Sequence, residues 1–129
     1  MVQTPTCEVQ FVSKIISLRM NYTTLYASTK DTVFLYDLGG MKILAKIPAD
    51  NHLGRIALSP DSRHFPYLIY STSFKRGELI LFDTNTLEEV NKILCHKTII
   101  LKVNISFSGA MAATCSTNGA TIRVFSLPQ

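Results

Sequence analysis

Three short apolar runs, each closing on an aromatic residue, recur along the chain: Val33-Phe34-Leu35-Tyr36, Leu79-Ile80-Leu81-Phe82 and Ile122-Arg123-Val124-Phe125. Each has the length and the β-branched or aromatic content of a strand. Their terminal aromatics lie 46 and 43 residues apart, close to the roughly 40–45 residues of a serially repeated unit of four strands. A chain with that period makes one small sheet per repeat and buries the sheet faces by stacking neighbours against each other.

The surroundings of each run repeat as well. Asp37-Leu38-Gly39-Gly40 and Asp83-Thr84-Asn85-Thr86 follow the first two runs, and their Asp, Gly and Asn favour tight turns. Gly39-Gly40 is expected to take the positive φ that a hairpin needs. Met41–Ile47 and Leu87–Leu94 then read as outer strands, with a short helix over Leu87–Leu94 as the alternative. Upstream of the three runs lie paired strand candidates: Ile15–Met20 with Thr24–Ala27, Arg55–Ser59 with Tyr67–Ser71, and Ile100–Phe107 with Met111–Cys115. Ser59-Pro60-Asp61-Ser62 and Ser108-Gly109 supply turns between them.

The fold class is therefore all-β: a partial β-propeller of about three four-stranded units, spanning residues 8–47, 54–94 and 96–129, the last incomplete. Propellers close with about four to eight such blades, and an open array leaves strand edges unpaired. The expectation is a piece of a longer protein; assembly with other chains, or a sandwich that imitates the repeat, are the alternatives.

Of the 129 residues, 47% are hydrophobic and 17% charged, a globular balance, and the formal net charge of +4 tilts the surface towards anions. The cations are dispersed, with Lys75-Arg76 and His96-Lys97 among the few basic neighbours, so no stripe for nucleic acid is present. The opening Met1–Thr6 is polar, which argues against secretion and leaves the sequons at Asn21 and Asn104 unused. The charge-poor stretch from Val103 to Ile122 is studded with Asn, Ser, Thr and Gly and reads as strands, so membrane association is expected to be peripheral. Cys7, Cys95 and Cys115 form no CxxC pair and are expected to be buried, reduced thiols.

Nothing in the sequence assembles a catalytic constellation. His52, His64 and His96 fall in different segments without cysteines at ligand spacing, so neither a metal nor another cofactor is expected. There is no Gly-x-Ser-x-Gly elbow and no phosphate-cradling Gly-x-x-x-x-Gly-Lys loop. Asp37 and Asp83, at equivalent places in the repeat, read as turn formers, and the chain as a binding protein rather than an enzyme.

Leu35-Tyr36-Asp37, Ile56-Ala57-Leu58-Ser59-Pro60, the run from Gly77 to Leu87, His96-Lys97 and Ile122-Arg123-Val124-Phe125-Ser126-Leu127-Pro128 together resemble the PROPPIN family, the seven-bladed WD-repeat-like propellers of autophagy. The likeness runs in order from about Glu8 to Gln129 and corresponds to the third, fourth and most of the fifth blade. It implies an adaptor in the cytoplasm that binds phosphatidylinositol 3-phosphate and phosphatidylinositol 3,5-bisphosphate. The adaptor would sit peripherally on autophagic (preautophagosomal), endosomal or vacuolar membranes and recruit other autophagy proteins. The family's Arg-Arg-Gly signature and membrane-inserting loop correspond to positions beyond Gln129.

Within this chain the resemblance assigns part of one headgroup site to His96, Ser116, Thr121 and Arg123. Arg grips phosphate bidentately, His donates a hydrogen bond, and hydroxyls complete the oxygen shell. The family's Gly-Thr is here Gly119-Ala120, and its Asp-Lys is Thr117-Asn118. Arg123 on a solvated strand face and His96 as a strand cap are the structural alternatives. The functional alternative is a WD-type protein–protein scaffold, or a truncated product without lipid binding.

Overall fold

The computed structural model describes residues 4–50, 55–61, 63–71, 77–117 and 119–128. Eleven strands account for all regular structure among them. β1 (Ser17–Met20), β2 (Thr24–Ser28), β3 (Thr32–Asp37) and β4 (Lys42–Pro48) form a first antiparallel meander. A second is made of β5 (Ile56–Leu58), β6 (Tyr67–Ser71), β7 (Gly77–Asp83) and β8 (Glu88–His96). The third has three strands, β9 (Ile100–Ile105), β10 (Met111–Ser116) and β11 (Ile122–Ser126). The all-β expectation holds, and Leu87–Leu94 is not helical, because Glu88–His96 pairs along the whole of β7.

The sheets stack face to face in chain order, with β1 against β5 and β5 against β9, so the first strand of each lies towards a common axis. Tyr26, Val33 and Leu35 of the first sheet meet Leu68, Tyr70, Ile80 and Phe82 of the second. Tyr67, Ile69, Leu79, Leu81 and Cys95 on the other side of the second sheet meet Ala112 and Leu127, with Val103, Ile105 and Phe125 packed alongside. β6 is buried along its entire length, which explains its unbroken apolar run: a strand covered on both faces has no solvent side to mark with polar residues. Each fully buried leucine in these seams stabilises by about 1.5–3 kcal/mol. The remaining face of the first sheet is covered by Phe11, whose ring lies 4.8 Å from that of Phe34 and 6.2 Å from that of Tyr36.

The β3–β4 and β7–β8 turns repeat in detail. Asp37 Oδ1 accepts from the Gly39 N–H at 3.1 Å, and Asp83 Oδ1 accepts from the Asn85 and Thr86 N–H groups at 2.8 and 3.0 Å. The positive φ is carried not by Gly39-Gly40 but by Met41 (52°) and its counterpart Leu87 (61°). The Asp side chain closes the first part of the loop, and the left-handed residue falls on the last position before the return strand. Gly109, in the β9–β10 turn, is the glycine whose φ of 82° demands the absence of a Cβ. A Cβ there would also collide with Ser59 and Phe65 of the β5–β6 connection.

Candidate functional site

The seam between the second and third sheets changes character along its length. At one end Phe65, Tyr67, Phe125 and Leu127 pack together, and the Tyr67 hydroxyl donates to the Pro128 carbonyl at 2.7 Å. At the other end the same face of the third sheet is polar. Thr114 is buried between its partners, standing opposite Arg123 on β11 and Val103 on β9. Ser116, two residues further along β10, shares that face because side chains alternate with period two.

Alignment of the three sheets on Tyr36, Phe82 and Phe125 makes the departure plain. Phe34 faces Ala27 across the ladder in the first sheet, and Ile80 faces Tyr70 in the second. In the third, the corresponding pair is Arg123 and Thr114. A cation thus stands where the repeat calls for an apolar side chain.

His96 closes β8 at this polar end. It is buried, with its Nε2 2.8 Å from Thr114 Oγ1. Gly77, its partner on β7, has no space for a side chain: a Cβ there would lie 2.5 Å from the His96 and Thr98 carbonyl oxygens and 2.7 Å from His96 Cβ. Gly77 therefore lets β7 approach closely enough to seat the histidine. The β10–β11 loop is drawn in similarly, since a Cβ at Gly119 would lie 2.8 Å from Ser116 Oγ, and the Thr117 N–H donates to the Ile99 carbonyl at 3.0 Å.

Of the four residues assigned by resemblance, His96 and Ser116 are buried, while Thr121 and Arg123 are exposed. His96, Ser116 and Arg123 lie around Thr114; Thr121 immediately precedes β11. The Arg123 charge reaches into the seam. Burial pushes the Cys95 thiol up to about 11, and the Thr114 hydroxyl and the Arg123 guanidinium act in the opposite direction. Cys95 is buried and Cys115 half-buried, but Cys7 is exposed, contrary to the expectation from sequence, because its segment lies outside every sheet.

Thr114 and Gly77 were not legible as site residues. A signal that was available is the charge distribution: the nine carboxylates all precede Val90, whereas Lys92, Lys97, Lys102 and Arg123 follow it. The whole net charge of +4 therefore resides in the last 40 residues. Elsewhere, His64 is hydrogen-bonded locally, its Nδ1 3.0 Å from Asp61 Oδ2, and this contact is the largest cause holding the Asp61 carboxyl below its usual range. Among the described residues no cluster of His, Cys, Asp and Glu could hold a metal. His52 and Lys75-Arg76 lie outside the described residues.

Stacked antiparallel meanders with their first strands around one axis define a β-propeller of the WD-repeat type. The chain belongs to the PROPPIN family, whose model matches residues 2–129. Autophagy-related protein 18 of Dictyostelium discoideum is 37% identical over 125 residues, covering 96% of this chain and 33% of that protein. WD repeat domain phosphoinositide-interacting protein 1 of Homo sapiens is 34% identical over 128 residues, covering 97% of this chain and 28% of that protein. The chain spans about a third of the length of these curated relatives. Among solved structures, a complex of KlAtg21 with a coiled coil of AgAtg16 superposes with a TM-score of 0.81 at 28% identity, covering 94% of this chain and 40% of that one. Hsv2 of Kluyvelomyces marxianus gives 0.81 at 22% identity over 97% of this chain and 38% of that one, a likeness of fold. The chain is thus a member of a family of autophagy β-propellers.

Proposed function

We propose that this chain supplies part of the phosphoinositide-binding surface of an autophagy adaptor. In this reading residues 8–47, 54–94 and 96–129 are successive blades. The phosphates of phosphatidylinositol 3-phosphate or phosphatidylinositol 3,5-bisphosphate meet Arg123, His96, Ser116 and Thr121 at the polar end of the seam between the second and third of them. The observation that carries the reading is Arg123 itself, a cation at the strand position that Phe34 and Ile80 fill in the other two sheets, in a 40-residue stretch without a single carboxylate. A phosphate is an acceptor-only anion, and this end of the seam offers a guanidinium, an imidazole and hydroxyls. The names of the relatives agree: one is a phosphoinositide-interacting protein, another an autophagy-related protein. The protein then acts peripherally, at autophagic, endosomal or vacuolar membranes.

A scaffolding role alongside lipid binding is favoured by the solved complex of KlAtg21 with a coiled coil. The partners on this reading are other autophagy proteins. Co-sedimentation of the folded chain with phosphatidylcholine vesicles, with and without phosphatidylinositol 3-phosphate, tests the lipid role. Pelleting that needs the phosphoinositide, weakens with salt and is lost in Arg123→Ala supports it. Folded protein that ignores the lipid refutes it for these residues and leaves the scaffold reading.

A further inference from the structure

Thr114 lies 2% exposed between His96 and Arg123, and nothing in the family resemblance assigns it a role. Its hydroxyl proton needs an acceptor, because a buried donor left unmatched costs about 1–3 kcal/mol. Thr114 Oγ1 lies 2.8 Å from His96 Nε2, and the Cys95 sulfur is the other group its hydroxyl can reach. The neighbouring Cys95 thiol places its own proton on the Ile93 carbonyl, at 3.6 Å. Were Nε2 to carry the imidazole proton, it would donate to Thr114 and leave the threonine proton to the Cys95 sulfur, a weak acceptor. The arrangement that gives the threonine proton the stronger acceptor has Thr114 donating to an unprotonated Nε2.

A neutral imidazole holds one proton, and the bond made by one ring nitrogen decides which nitrogen carries it. We propose that Thr114 is a positioning residue that holds His96 as the Nδ1–H tautomer, presenting a donor rather than a lone pair to the phosphate. Nδ1 makes no hydrogen bond to any described residue. The phosphate half of the inference rests on the phosphoinositide reading; the tautomer half does not. Gly77 and Thr114 grip the histidine from two sides, one by leaving room and one by a hydrogen bond.

The test is the nitrogen-15 signature of the neutral His96 ring in the wild-type chain, Thr114→Val, Thr114→Ser and Thr114→Ala, each checked for folding by its amide spectrum. It is paired with binding to phosphatidylcholine vesicles carrying phosphatidylinositol 3-phosphate. The wild type and Thr114→Ser are expected to show Nδ1–H. Thr114→Val, or Thr114→Ala if the valine fails to fold, is expected to lose that preference and to bind the vesicles about tenfold more weakly. An unchanged tautomer in the hydroxyl-free variants overturns the proposal whatever the vesicles show, and so does a changed tautomer with undiminished binding. Wild-type protein that ignores the lipid while its tautomer depends on Thr114 defeats the phosphoinositide reading and leaves the histidine assignment standing.

Discussion

Arg123 occupies in the third sheet the position that Ile80 occupies in the second, two residues before the terminal aromatic and on the face turned to the preceding sheet. Ile80 is buried there, whereas Arg123 is exposed on the outermost strand of its sheet. Retaining a guanidinium at a place the repeat fills with hydrocarbon contributes nothing that the seam itself needs.

Arg123→Ile should therefore leave stability within about 0.5 kcal/mol of the parent, as substitutions at exposed positions generally do. Headgroup binding should fall by tenfold or more, since a hydrogen bond to a charged group contributes about 1.5–3 kcal/mol. Urea unfolding and vesicle pelleting measure the two separately. A loss of stability as large as the loss of binding would make Arg123 a structural residue.

The first seam has its own tie at the rim. Asn21 Nδ2 donates to the Ser59 carbonyl at 3.0 Å, while Asn21 Oδ1 accepts from the Thr23 and Thr24 N–H groups at 3.0 and 2.9 Å. Asn21→Ala should destabilise the chain by about 1–3 kcal/mol, because it leaves part-buried backbone groups without partners. Asn21→Asp keeps the two acceptor bonds but sets an oxygen against the Ser59 carbonyl, so it should fall between the parent and the alanine variant in urea midpoint. Equal midpoints for parent and alanine variant would remove Asn21 from the list of ties between sheets.

The strands were largely legible because each is an apolar run bounded by turn residues, and the repeat fixed their order; β1, β2, β3 and their counterparts differ from expectation by only a residue or two at the ends. The turn glycines misled, because Gly39-Gly40 resembles a tight hairpin while Asp37 closes a longer loop around them and gives the left-handed place to Met41. Thr114 was invisible for a different reason. Its placement comes from a cross-strand register and from the end of a strand in another sheet, 18 residues earlier in the chain, and no local pattern encodes that juxtaposition.

That correction has a direct test. At Gly40 an added Cβ meets nothing nearer than Lys42 Cγ at 3.9 Å, and φ is not positive. Gly40→Ala should thus be neutral or stabilise by about 0.4–1 kcal/mol through the unfolded chain. Gly109→Ala combines a positive φ with collision against Ser59 and Phe65, and should cost more than the loss of flexibility returns, on the order of 1–3 kcal/mol. Thermal midpoints that order the two variants the other way would contradict the turn assignment.

The three cysteines should separate by environment. Cys7 is exposed and should react readily with a thiol reagent at mildly alkaline pH, whereas Cys95, buried in the second seam with its thiol pushed up to about 11, should react only as the chain unfolds. The same shift sets a pH dependence. A thiol that holds its proton more tightly folded than unfolded stabilises the fold fully below its ordinary value of 9.0, and the contribution is lost as pH rises towards about 11. Tyr70, pushed up to about 12 chiefly by burial, and Tyr26, raised further by the same cause, extend the loss to higher pH. Melting temperature should accordingly decline as pH rises above about 9, and the decline should be shallower at its start in Cys95→Ala. Cys95 labelled as fast as Cys7 in the folded chain would show that the second seam opens to solvent, and the buried histidine site beside it would open with it.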